Sequence, residues 1–534
     1  MLRQPLRACL HLAPVLWIVV GLSLRTSAVA SVLHGMKPFW INTNELGFES
    51  KSRDQRWADE AYNFLHNIDC EHVTFTGTKE CERLTNFPKE SMTVYLAPSS
   101  SYGRYVSSIP DERLLRGEPH DAVLVLDPYP EMSFGHVVLV FFVDVGISRA
   151  ACQKKEGIYL DHDECMHLVS RRRCRNLLER RSRRRNFAKR CEINFLPTVH
   201  LDTDRTLPKH NQLACKPDLM GFHQCPQLRP LNDTSRLLCD PLKENTQTCA
   251  TTHETVRTSC RIFEICDQAV LVFGGWNRLT SHVSNEENIK GMYQLLRRNG
   301  FKRRNIKLFY ANGVKEFQIE REPRQTAHPA AMKLALRYHL QRMCASPHCV
   351  DSLALYLNGP ATHHGNMLLW DVNFNGMAEE EERYTVEELL SDLADCAARQ
   401  VFLLVDQSYS GEISHALRSS TSHENVLVIS SGKGFQYSYN SELTRYWSGQ
   451  NDTRACVTDI YKSSLDFIEK STPLMSNPGK VEKTLSGAPC DVTPPFSNRE
   501  LRRDYFGCQN LPTAVWLREI LRQSDDDIPE IPDA

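Results

Sequence analysis

Hydrophobic residues are arranged along this chain in two patterns. Up to about residue 197 they form short alternating or apolar runs, among them Ala122–Leu126 and residues 136–143, HVVLVFFV. Such runs predict strands of a β or α+β module. After Cys266 the grammar changes. Strands are predicted at 269–275, 306–310, 352–357, 367–370, 401–405 and 426–430. Helices are predicted at 285–298, where Ile289, Met292, Leu295 and Leu296 recur at helical spacing, and at 330–343 and 385–397. Strands alternating with helices of this length specify a mostly parallel sheet, because each crossover buries its apolar stripe against one of the two sheet faces. The expected fold is α/β in the C-terminal half, preceded by a disulfide-rich β or α+β module.

With 534 residues the chain exceeds one ordinary core, so several domains are expected. The expected divisions are a signal peptide at 1–30, an N-terminal module at 31–197, a cysteine-rich linker at 198–264, the α/β domain at 265–470 and a C-terminal extension with an acidic tail at 471–534. The first follows from Arg3 and Arg7, the apolar stretch Ala8–Leu24 and the small residues Ala28-Val29-Ala30, the pattern a signal peptidase needs. No later apolar run is long enough to span a bilayer, so a secreted or lumenal protein without a transmembrane segment is expected.

Cysteine usage agrees with that compartment. Of 19 cysteines, Cys9 belongs to the signal, and the even remainder suits a disulfide framework. Cys215, Cys225, Cys239 and Cys249 lack the C-x-x-C pairs of a zinc site, so staples are expected there. Asn232 and Asn451 begin the sequons N-D-T and are expected glycan acceptors. A net charge of −1 exerts no global pull toward nucleic acid. The local exception is residues 171–190, RRRCRNLLERRSRRRNFAKR. Its density of like charge suits a sulfated glycosaminoglycan, while Arg181, Arg183 and Arg184 fit the R-x-R-R pattern of proprotein convertases.

Residues 401–413, VFLLVDQSYSGEI, read as a buried strand opening into a tight polar turn, the place where α/β proteins present reactive side chains. The region 265–470 resembles the legumain family of cysteine peptidases, within the caspase-like fold group. Residues 268–277 resemble that family's first strand and its glycine-rich turn, and residues 294–300 its first helix. Asp406-Gln-Ser-Tyr-Ser-Gly411 resembles its [DE]-x-C-x-S-G nucleophile turn, and residues 425–434 its next strand and a loop walling the substrate pocket.

The resemblance implies a thiolate nucleophile and a histidine in an H-G step after an earlier strand. Here Ser408 stands at the nucleophile position. A serine hydroxyl is far less acidic than a thiol and needs a well-placed base. The histidine's place falls at Gly359 or Pro360, whereas His363-His364-Gly365 comes several residues later. A non-catalytic relative that binds a protein or peptide is therefore expected. The alternatives are a Ser-His hydrolase using Ser408 and His364, and a precursor cut near Arg184 to release an N-terminal ligand.

One further motif lies between strand and helix. Asp371-Val-Asn-Phe-Asn-Gly-Met-Ala-Glu-Glu-Glu-Glu382 matches D-x-[DN]-x-[DN]-G-x5-E. Asp371, Asn373, Asn375, Met377 and Glu382 then become calcium ligands, of extracellular-type affinity because only two of them are charged. Calcium is the one cofactor the sequence suggests.

Overall fold

The computed structural model describes residues 51–71, 78–111, 118–131, 135–169, 193–204, 211–229, 256, 261, 263–312, 315–319, 322–480, 482–488, 490 and 507–526. The expected signal peptide, the basic segment with Arg181, Arg183 and Arg184, the sequon at Asn232, Cys239 and Cys249, and the acidic tail beyond residue 526 lie outside the described residues.

The first half supplies Thr93–Ala97 (β1), Tyr105–Ser108 (β2), Ala122–Asp127 (β3), Leu139–Val145 (β4), Ile158–Leu160 (β5), Glu164–Leu168 (β6), Thr198–Leu201 (β7) and Ala214–Cys215 (β8). Six of these form an antiparallel sheet in the order β5-β6-β4-β3-β1-β8, and β2 pairs with β7. Because both faces are covered, β3 is buried along its whole length. One face packs Leu124, Leu126 and Phe141 under the helix Arg53–His66, whose apolar stripe is Trp57, Ala58, Ala61 and Leu65. That helix is pinned at its start by Trp57, whose indole N–H donates to Glu164 at 2.6 Å. The other face packs Val123, Val125 and Val140 against Ile193, Leu196 and Val199.

The stretch read as a linker from residue 198 starts inside this module. β7 and β8 are strands of it, and Cys215–Cys225 staples the chain that follows. The alternation that marks a strand is too short there, at two to four residues, to stand out from loop sequence.

The second half builds Glu264–Phe273 (β9), Ile306–Tyr310 (β10), Lys315–Phe317 (β11), Gln325–His328 (β12), Val350–Asn358 (β13), Met367–Leu368 (β14), Arg383–Tyr384 (β15), Gln400–Asp406 (β16), Val426–Ser430 (β17), Leu474–Ser476 (β18) and Cys508–Asn510 (β19). The main sheet runs β11-β12-β10-β9-β13-β16-β17-β18, parallel from β12 to β17, with antiparallel strands at both edges and β19 beside the start of β9. It has helices on both faces, as the apolar runs require. Ala269, Leu271 and Phe273 face the helix Ser284–Arg298, and Val270 and Val272 face the helix Lys333–Cys344.

Two expected boundaries shift. The helix expected to reach residue 397 spans Val386–Leu393, started by a Thr385–Glu388 capping box. It stops there because Cys396 is bonded to Cys344 and the amide of Ala397 donates to Cys344, which turns the chain back toward the sheet. The region after residue 470, read as an extension, completes the fold: β18 and β19 join the main sheet, and Cys266–Cys508 ties β19 to β9. Six disulfides join described cysteines, and no helix among the described residues is long and apolar enough to cross a membrane.

Candidate functional site

From β9 the chain crosses to β10 on one side, and later returns to β13 on the other. The C-terminal ends of β9 and β13 therefore flank the switch point at which open α/β sheets form a crevice. Part of that crevice is filled. The hairpin of β14 and β15 lies over it, so that a Cβ on Gly274 would fall 2.0 Å from the Leu368 carbonyl oxygen. Gly359, just after β13, is confined less severely: a Cβ there would lie 2.8 Å from the movable Met367 methyl and 3.3 Å from the Gly274 nitrogen.

Next to it, β16 ends in Asp406 and the turn resembling a nucleophile turn. Asp406 is fully buried and serves as an acceptor: it takes hydrogen bonds from the Ser438 hydroxyl, the Thr444 amide at 2.9 Å and the Thr444 hydroxyl at 2.6 Å. Burial pushes its carboxyl upward in pKa, against the opposing effect of these donors. The turn itself is clamped by the loop after β17. Ser431 donates to the Gln407 carbonyl at 3.0 Å, the Gly432 amide to Ser410 at 3.1 Å, and the Tyr409 amide to the Gln436 carbonyl at 2.8 Å. Tyr409 is held at a φ of +61°, a left-handed conformation that bulky residues adopt only under such constraint.

Ser408 has no exposed surface. Its Oγ accepts from the Ser438 amide at 3.1 Å and donates to the Gly135 carbonyl at 3.4 Å. Gly135 belongs to the N-terminal module. A Cβ on it would lie 3.1 Å from both Cβ and Oγ of Ser408, so the two chain segments touch.

The H-G step is brought close to this turn. Gln407 donates from its side chain to the Gly365 carbonyl at 2.7 Å, and a Cβ on Gly365 would lie 3.2 Å from the Tyr409 carbonyl oxygen. His364 is exposed and its ring lies tilted against that of His363, with centres 3.7 Å apart. His363 in turn meets Asp111 of the N-terminal module, Nδ1 to Oδ1, at 2.8 Å.

The same module covers the rest of the strand-end face. Asn194 donates to the Tyr409 hydroxyl at 2.9 Å. Tyr409, Tyr437 and Tyr439 are buried in the apolar cluster built by Leu126, Tyr129 and Phe141, and the Tyr129 and Tyr439 rings meet edge to face at 5.5 Å. Gly135, Asn194 and Asp111 carry no motif, and only their contacts reveal them.

The loop expected to bind calcium is also part of this junction. Asp371 accepts from the Asn375 amide at 3.1 Å and the Gly376 amide at 2.9 Å, while Asn373 and Asn375 accept from the amides two residues on. Glu382 folds back to accept from the Val372 amide at 2.8 Å. Asp371 and Glu382 are each only 2 % exposed. Burial pushes both carboxyls up to about 7, the charge of Asp371 adding to the rise at Glu382. The donor set, hard oxygens gathered on one turn around a glycine, is the type calcium takes. Outside it, the loop docks on the N-terminal module: Ser108 donates to the Asn375 carbonyl at 2.8 Å.

Asn451 is exposed in the loop between the helices Glu442–Ser448 and Val457–Phe467. Among the described residues, one cluster of three metal-type ligands occurs, Glu264 with Cys266 and Cys508, and its two sulfurs are joined to each other. No known protein-family model matches the chain, and no curated protein is significantly similar to it.

Proposed function

We propose that the C-terminal half is a legumain-like domain of the caspase-like group that has lost peptidase chemistry, in a secreted or lumenal protein that works by holding a protein or peptide segment. One observation carries the reading. Ser408, at the nucleophile position, is wholly buried with its Oγ packed against the Gly135 backbone of the N-terminal module, so that no surface is left for a substrate carbonyl to reach it. The sheet supports the family resemblance by placing Asp406–Gly411 at a strand end beside the switch point. The disulfides and the exposed Asn451 are what a protein of the secretory pathway would carry.

The two alternatives gain less. A Ser-His hydrolase needs Ser408 and His364 in one environment, yet Ser408 is buried and His364 exposed. Release of an N-terminal ligand by a cut near Arg184 meets a topological obstacle. β7 and β8 follow that point and pair with β2 and β1, which precede it, so the two pieces would remain joined by strand pairing.

The loop 371–382 supports a second, compatible reading as a calcium loop. Asp371, Asn373, Asn375, the Met377 carbonyl and Glu382 would hold the ion, and the observation favouring it is the joint burial of two carboxylates in that turn.

The deciding experiment treats the full-length, glycosylated protein with a fluorophosphonate probe and with fluorogenic peptides cleavable after Asn or Asp, from acidic to neutral pH. Neither an adduct on Ser408 nor turnover is expected. An adduct on Ser408 with turnover would replace the pseudopeptidase reading by that of a serine hydrolase.

A further inference from the structure

A strand-end face that no longer performs chemistry still has to be covered by something, because it exposes aromatic rings and backbone polar groups. We propose that its partner is the chain's own N-terminal sheet module, seated there permanently, so that the face around Ser408 is an intramolecular docking surface and admits no outside peptide. The proposal rests on the pseudopeptidase reading and names the occupant of that same site.

Five contacts place the occupant. Gly135 fits against Ser408, where its lack of a side chain decides the fit, since even a Cβ would be within 3.1 Å of the serine. Asn194 reaches the Tyr409 hydroxyl at 2.9 Å. Asp111 meets His363 at 2.8 Å. Ser108 holds the Asn375 carbonyl at 2.8 Å, and the amide of Ala378 donates to the Pro110 carbonyl at 3.4 Å. The first two contacts sit on the nucleophile turn, the third on the H-G turn and the last two on the loop after β14. The module therefore touches three of the loops at the strand ends.

The chemistry of the interface distinguishes a permanent seat from a removable plug. Interfaces that open readily are more polar than obligate ones. Here Tyr409, Tyr437 and Tyr439 belong to the same buried cluster as Leu126, Tyr129 and Phe141, so that the core of one module is completed by the loops of the other. Obligate interfaces have this character, a domain core divided in two. Lifting the module away would expose three tyrosine rings and part the buried Asn194 side chain from its tyrosine partner. Opening is then close to unfolding in cost, and it becomes a rare sub-global event. Binding of outside partners must use other surfaces.

The test uses the full chain carrying Ser408→Cys, a substitution close in size, with the native disulfides intact. Methyl methanethiosulfonate, a small thiol reagent, is added and its adduct on the introduced thiol is followed by mass spectrometry. The expected modification is at least about a hundredfold slower in the folded protein than in urea, as for a core thiol. Should this variant fail to fold, hydrogen exchange of the unmodified protein reads the same property: the amides of Tyr409 and Ser438 are expected to exchange as slowly as those inside β16. Labelling of the introduced thiol at a rate near the unfolded one, or fast exchange at Tyr409 and Ser438, overturns the permanent seat. If either occurs without peptide turnover by the wild type, the pseudopeptidase reading survives. Turnover by the wild type would remove both.

Discussion

Asn194 and Tyr409 are 215 positions apart in sequence, and the amide of one donates to the hydroxyl of the other at 2.9 Å in a buried setting. This bond joins the N-terminal module to the turn that resembles a peptidase nucleophile turn. Replacing Tyr409 by Phe keeps the ring and removes the acceptor, so the loss is that of one buried hydrogen bond, about 1 kcal/mol. Urea denaturation should show that loss in a single transition, because the modules share a core. Two separated transitions would contradict the shared core.

Placing at the end of β13 the histidine that the family resemblance implies should fail for steric reasons. Gly359 has the Met367 methyl at 2.8 Å and the Gly274 backbone at 3.3 Å from a Cβ, so an imidazole there must push the Met367 side chain aside and crowd the Gly274 backbone. Ser408→Cys/Gly359→His is expected to melt below the Ser408→Cys parent, by an overpacking cost of roughly 1–3 kcal/mol, and to cleave none of the test peptides. Thermal melting and a peptide assay on the two proteins check both halves.

At Gly376 two constraints coincide. Its φ is +73°, and an added Cβ would fall 2.4 Å from the Thr198 Cβ and 2.6 Å from the Ser108 hydroxyl. Gly376→Ala should therefore cost roughly 2–4 kcal/mol, from left-handed strain together with the clash across the module junction. Chemical denaturation measures it, and a change within about 0.5 kcal/mol of wild type would mean that the loop does not press on the N-terminal module.

The main sheet was legible because its strands are apolar on both faces. Leu353–Leu357 and Val401–Val405 can be read only as buried, and their helical partners show a clear stripe. The turn at Asp406–Gly411 was legible for the same reason, since a strand must end somewhere and small residues mark the end. The cover was not legible. Gly135 and Ser408 are 273 positions apart, and Asp111 and His363 are 252 apart, so neither pairing leaves a local pattern. Short strands such as Ala214–Cys215 were missed because two residues cannot display a period, and β18 and β19 because their place depends on a neighbour far away in sequence.

The acidic loop makes stability depend on pH in an unusual direction. Asp371 and Glu382 have carboxyls raised to about 7, whereas unfolded carboxyls titrate near 4. Between those values the folded state holds more protons than the unfolded one, so these two groups stabilise the fold below about pH 4 and lose that contribution as pH rises to about 7. The linked energy is on the order of a few kcal/mol, shared by the pair. Glu382→Gln removes one titrating group, so its stability relative to wild type should improve as the pH is raised from about 4.5 to about 8. Denaturation of both proteins across that range tests it; a difference independent of pH would mean that Glu382 titrates normally.

A cation supplies the other way to satisfy two buried carboxylates. At neutral pH, where both begin to ionise, calcium in the loop would replace the lost protons and relieve the mutual repulsion of Asp371 and Glu382. Calcium at about ten times its dissociation constant should add about 1.4 kcal/mol of stability, seen as a rise in melting temperature on addition of millimolar calcium. Magnesium should do less, because it needs closer, more regular oxygens than a single loop with two asparagines offers. Asp371→Ala should abolish the calcium response while leaving that of an unrelated stabiliser such as sucrose. The response should also weaken below about pH 6, because protons then compete for the same oxygens. Isothermal titration calorimetry gives the direct reading, and heats identical for wild type and Asp371→Ala would remove calcium from this loop.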